Sequence, residues 1–235
     1  SAFVSGGLTN TSYWRKDRFY YSGDKQLSSK KHYLGGNVKA GLNYNLDDYN
    51  NVFFNTGFIS RAPIFDNTFI NSQSSHERNP DAKNEKVYSF ELGYGYRSQY
   101  FSANVNAYYT MWKDKALYDT GSYEDVNGAS QRWTMNMTGA QANHMGIELD
   151  FIAKPFRWME VNGMFSWGDW RWNGTAKGFM MNTEGQIMAN SRGEVVTDMS
   201  NVDQYKYTIE MDNVQVGAAI VPRRARAITL RLSSP

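Results

Sequence analysis

Residues 84–112 read NEKVYSFELGYGYRSQYFSANVNAYYTMW. Tyr88, Phe90, Leu92, Tyr94 and Tyr96 alternate with Val87, Ser89, Glu91, Gly93, Gly95 and Arg97. After Ser98-Gln99, Phe101, Ala103, Val105, Ala107, Tyr109 and Met111 alternate with Ser102, Asn104, Asn106, Tyr108 and Thr110. A period of two sustained this long is strand, not helix. Two such runs with a tight connection predict an antiparallel hairpin. A turn at Ser98-Gln99 pairs Leu92 with Val105 and Phe90 with Ala107. Each run is about twice the ~5–6 residues of an average strand and suits the ~9–11 residues of a tilted strand crossing a bilayer.

The rest of the chain repeats the pattern. Ala2–Tyr21 opens in strand-like sequence and ends in aromatics. Leu34–Leu46 and Val52–Ile59 are amphipathic strands around a turn at Asp47–Asn50, where Asp and Asn supply local backbone hydrogen bonds. Ala142–Ala153 and Met159–Trp172 flank a turn at Lys154–Trp158. Gln204–Val216 reads as a weaker strand. The remaining connectors, Ser22–Lys31, Ser60–Lys83, Lys113–Gln141 and Asn173–Asp203, read as long loops. Long and short connectors therefore alternate, which a soluble sandwich has no reason to do. A bacterial outer-membrane barrel does so, with short periplasmic turns and long outer loops.

The faces agree. From Leu34 to Trp167 one face carries no Asp, Glu, Lys or Arg within the strands. Lys39, Glu91, Glu148, Asp150 and Glu160 fall on the other. The expected lipid-facing set includes Tyr88, Phe90, Leu92, Val105, Ala107, Ile147, Leu149, Phe151, Val161 and Phe165. The opposite face reads as the wall of a wet lumen. A mean hydropathy of −0.63 is no objection, because a barrel strand shows lipid only every second side chain. An aromatic content of 15% fits interface girdles. A net charge of +2 gives no argument for nucleic acid, and the absence of Cys excludes a disulfide-built mini-domain and thiol chemistry. The start, AFVSGGL, carries no signal-peptide pattern, so a piece of a longer precursor is expected.

Four segments resemble the TonB-dependent outer-membrane receptors: GFISRAPIFDNTF at Gly57–Phe69, NPDAKNEKVYSFELGYGYRS at Asn79–Ser98, FSANVNAYYTMWKDK at Phe101–Lys115, and HMGIELDFIAKPFRWMEVNGMFSWGDW at His144–Trp170. The pattern NP-x-x-K-x-E before a strand with ELGY is widespread in such barrels. The resemblance implies an all-β fold, an antiparallel transmembrane β-barrel, with about eight strands here out of about 22 in the whole receptor. Residues 1–217 are the expected C-terminal portion of that barrel. Residues 218–235, with Pro222, Arg223, Arg224 and Arg226, depart from the pattern, as a frameshift or truncation would. The implied function is energised, gated import of a scarce bulky ligand (metal chelate, cobalamin or glycan) across the bacterial outer membrane. Implied partners are outer-membrane lipid, a plug domain, TonB through the N-terminal part of the receptor, and a surface lipoprotein. A passive barrel or adhesin anchor and a soluble β-sheet glycan-binding protein are the alternatives.

Candidate ligand-binding or lumen residues are Arg61, Glu91, Glu148, Trp170 and Trp172. Pro63 ends a strand, which leaves Arg61 at the rim. The carboxylates have no positioned His and read as lumen charge, so no enzyme chemistry, catalytic residue or cofactor is expected. His32, His76 and His144 lack metal-ligand spacing, so no metal is expected. Trp170 and Trp172 serve either in an interface girdle or in sugar stacking. Asn136-Met137-Thr138 matches a glycosylation sequon that a bacterial context voids.

Overall fold

The structure, a computed structural model, describes residues 1–72, 74–125 and 127–211 and the backbone of 214–221. Its strands are β1 (Ala2–Tyr13), β2 (Lys31–Asn45), β3 (Asn50–Arg61), β4 (Glu85–Arg97), β5 (Phe101–Glu124), β6 (Ser130–Phe156), β7 (Met159–Asn173), β8 (Thr175–Met181), β9 (Tyr207–Glu210) and β10 (Val214–Val221). One short helix, α1 (Phe65–Thr68), lies between β3 and β4. Every pairing is antiparallel, in the order β1-β2-β3-β4-β5-β6-β7-β10, with β8 on β6 and β9 on β8. β7 and β8 run successively along β6, broken at Gly174, whose φ of 76° suits a residue without Cβ. β9 and β10 follow the next path. The ten strands thus trace eight paths, and the sheet stays open between β1 and β10.

The pattern of apolar residues decides the register. One paired row runs Ala2, Leu42, Phe54, Leu92, Ala107, Ile147, Trp167, Ile220, without a polar residue across eight strands. Two residues further along, Tyr44, Val52, Tyr94, Val105, Leu149 and Phe165 make a second apolar row. The central hairpin sits two residues away from the sequence expectation: Leu92 pairs with Ala107 and Phe90 with Tyr109. The turn is longer than a Ser-Gln pair. The Ser98 N–H donates to the Phe101 carbonyl at 2.7 Å and the Phe101 N–H to Ser98 Oγ at 3.2 Å, which encloses Gln99 and Tyr100 as well. A shift of two keeps every side chain on its face.

One expected loop is strand over most of its length, and a second is strand in part. Residues 113–141 continue the β5–β6 pairing to Glu124 opposite Ser130, across irregularities at Asp114 (φ 56°) and Gly139 (φ 90°). Asp125 closes the tip, its Oδ1 accepting the Asn127 and Ala129 N–H at 2.9 Å each. Residues 173–203 contain β8, and the stretch read as one strand at Gln204–Val216 is divided between a 3-10 turn, β9 and the start of β10. β1 ends at Tyr13 rather than Tyr21. In the tail, 218–221 belong to β10 and 222–235 lie outside the described residues.

Burial is lopsided. Along the wall the described strands form a single layer, and Val4, Leu8 and Leu92 are 79%, 88% and 61% exposed. The packed cores sit at the long-loop end. Met135, Met137, Ala140, Ala176, Met180, Met188 and Met211 form one cluster, and Met181, Ile187 and Val196 a second. The connectors thus fold into a cap above an uncovered wall.

Candidate functional site

Arg61, Glu91, Glu148, Trp170 and Trp172 all fall on the polar face, by strand register. They occupy different levels and form local clusters rather than one pocket. Arg61 is at the top of β3. Its guanidinium donates from Nε to Glu85 Oε2 at 2.8 Å and lies 5.3 Å from the Trp112 ring centroid. The Glu85 side chain is only 3% exposed, and its Oε1 accepts the Ala116 N–H at 2.9 Å. The Arg61 charge is therefore engaged in neutralising a buried carboxylate that holds the bend in β5.

Glu91 is clamped at mid-wall. Asn55 Nδ2 donates to its Oε2 at 2.9 Å from β3, and Asn106 Nδ2 donates to its Oε1 from β5. Glu148 is directly opposite Asn106 and Ser166. One row away, Tyr108, Gly146 and Gly168 are in register across three strands. A Cβ on Gly146 would lie 2.6 Å from the Tyr108 hydroxyl oxygen, so the missing side chains leave room for the Tyr108 side chain over the sheet. Trp170 Nε1–H donates to the Tyr108 hydroxyl at 3.1 Å, and the His144 ring is 5.7 Å from Trp170. Trp172 instead packs against the methionine-rich cluster of the cap. Trp167 belongs to the apolar row.

The NP-x-x-K-x-E motif works as a clasp. The Asn79 N–H donates to the Thr68 carbonyl at 3.0 Å and Asn79 Nδ2 to the Asn67 carbonyl at 3.1 Å. Lys83 reaches Asp114 Oδ1 at 2.7 Å, Lys86 reaches Oδ2 at 3.2 Å, and Glu85 holds Arg61 and Ala116. Burial pushes the Asp114 carboxyl up, but the two ammonium groups together bring it below its ordinary value of 3.8. A depressed carboxyl contributes stability that is complete above that ordinary value and fades as pH falls through the folded one. Acidification to about pH 3 is therefore expected to loosen the 79–86 segment, read as faster amide exchange in a pH series. Asp114→Asn should flatten the pH dependence of that segment.

Residues not expected to matter hold the cap. Asn136 Nδ2 donates to the carbonyls of Asp66, Phe69 and Ile70 at 2.9, 3.1 and 3.1 Å. Asn67 Nδ2 returns a bond to the Met137 carbonyl at 3.0 Å. Asn136 is 7% exposed, so the apparent sequon is a buried strut. The only available sequence signal was the alternation of Trp133, Met135 and Met137 with Thr134, Asn136 and Thr138. The histidines are dispersed: His32 bonds Ser12, His76 stacks on Tyr21 at 4.0 Å, and His144 is beside Trp170. Among the described residues no group of three His, Cys, Asp or Glu could hold a metal. None of their helices is long and apolar enough to cross a membrane, which says nothing of strands.

A family model described as TonB dependent receptor-like, beta-barrel, matches residues 4–218. No curated protein and no solved structure matches the chain.

Proposed function

The chain belongs to the TonB-dependent receptor β-barrel family, a family of outer-membrane transporters rather than enzymes, and on that premise we propose that it forms a wall segment of an energised importer. Residues 1–217 are then part of the barrel, and further strands bridge its two free edges, because an unpaired edge is not tolerated in hydrocarbon. Residues 218–221 continue that wall in β10, paired to β7, so the departure from the barrel pattern in the sequence begins at Pro222. The single observation that carries the reading is the uninterrupted apolar row across eight strands, over which the described residues place no protein layer. In water such a face forfeits roughly 25 cal/mol for every Å² left unburied; in lipid it is solvated. The outward set is Tyr88, Phe90, Leu92, Val105, Ala107, Ile147, Leu149, Phe151, Val161 and Phe165.

The other face borders the lumen, where Glu91, Glu148 and the Tyr108–Trp170 pair meet a plug domain and passing ligand. Arg61 and Trp172 support the cap over that mouth. The cargo is a scarce bulky molecule of the metal-chelate, cobalamin or glycan class, bound above the plug and released inward when TonB pulls. A surface lipoprotein over the cap completes the set of partners. The test is uptake by cells carrying the intact receptor, supplied with labelled cargo of each class. Accumulation of one class that stops when TonB is removed supports the reading. Uptake independent of TonB would make the chain part of a passive barrel.

A further inference from the structure

The apolar face ends in an ordered way at the cap side. Leu92 and Ala107 are followed along the same face by Phe90 and Tyr109, then by Tyr88 and Met111, and then by Lys86 opposite Lys113. Phe58 packs on Tyr88 with ring centroids 4.9 Å apart, and Lys113 Nζ is 5.8 Å from the Tyr88 centroid. Hydrocarbon-facing residues, an aromatic step and then cations are the order in which a membrane-crossing surface meets chains, interface and headgroups. Two lysines directly opposite each other on neighbouring strands repel. Lys83 joins them through Asp114, the one carboxylate that it shares with Lys86. Three ammonium groups against one carboxylate leave two positive charges. The Lys83 and Lys86 side chains are 57% and 42% exposed, and Lys113 is exposed as well.

We propose that Lys83, Lys86 and Lys113 form a docking site for the phosphate groups of a phosphorylated glycolipid in the outer leaflet, its acyl chains lying along Tyr88 and Phe90. The proposal rests on the outward assignment of that face. The repulsion between Lys86 and Lys113 is relieved when a phosphate sits between them. The Tyr88 ring holds the Lys113 ammonium close to where the headgroup of a lipid packed on the apolar rows would lie.

The experiment uses the intact receptor in detergent, titrated with bisphosphorylated lipid A and with its fully dephosphorylated form, read by native mass spectrometry. The unaltered receptor should prefer the phosphorylated lipid. The double variant K86Q/K113Q should bind it roughly 30-fold more weakly, whereas Lys16→Gln, in the first long connector, should not change it. Equal binding of the two lipids, or an unchanged affinity in K86Q/K113Q, would overturn the site. Failure of the membrane reading would show differently: the receptor would stay monodisperse without detergent and bind neither lipid.

Discussion

In the intact receptor, Val105→Lys lowers the stability of the folded barrel by about 2–4 kcal/mol, and Asn104→Lys leaves it nearly unchanged. Val105 is in the second apolar row, paired with Tyr94 and Leu149 and 40% exposed on a face that no other element covers among the described residues. An ammonium there must sit in hydrocarbon or drag water down to itself. Asn104 is one residue away but on the other face, directly opposite Asp150. A lysine at 104 meets water and a carboxylate. Urea unfolding in lipid vesicles reads both changes, and the contrast between neighbours is the informative quantity. A general intolerance of lysine in β5 would penalise both.

Asn136→Ala should cost about 3 kcal/mol, confined to the cap. The substitution strips the donor from three carbonyls, those of Asp66, Phe69 and Ile70, around a side chain almost without solvent contact. Each buried acceptor left unpaired costs about 1–3 kcal/mol, and partial access of water to the Asp66 carbonyl offsets part of the sum. Hydrogen exchange should show faster opening of 64–79, where α1 docks, and little change in 86–96 or 102–111. Global collapse of the barrel would mean that wall and cap fold as one unit rather than as a wall carrying a packed cap.

The wall was legible in the sequence because lipid and lumen impose opposite polarity on successive residues. Phe90 and Leu92 point one way and Glu91 the other, and that parity survives the two-residue shift in the hairpin. The same alternation placed Arg61, Glu91, Glu148, Trp170 and Trp172 on one face. Their partners were hidden, because Glu85 meets Arg61 and Ala116 only through pairing of residues far apart in the chain. The cap was not legible, for a physical reason. Thr134, Met135, Asn136, Met137 and Thr138 are all buried, so both faces of upper β6 are enclosed and the contrast that marks a strand fades. Polar residues there are satisfied by backbone carbonyls of α1 and its neighbours, which no local pattern announces. Methionines 180 and 188, scattered among Gly, Asn and Ser, read as loop until the β6–β8 pairing and the bond from the Met188 N–H to the Met180 carbonyl bring them into one cluster.

The central claim is that the apolar rows face lipid and the polar rows face water. Single cysteines at 105 and 104, in a receptor otherwise free of cysteine, test it without relying on stability; these 235 residues contribute none of their own. In intact outer membranes, Val105→Cys should react with a lipid-soluble maleimide and resist a membrane-impermeant one. Asn104→Cys should react, where a plug leaves it open, only from the aqueous side. Equal labelling of both positions by the impermeant reagent would contradict the barrel assignment.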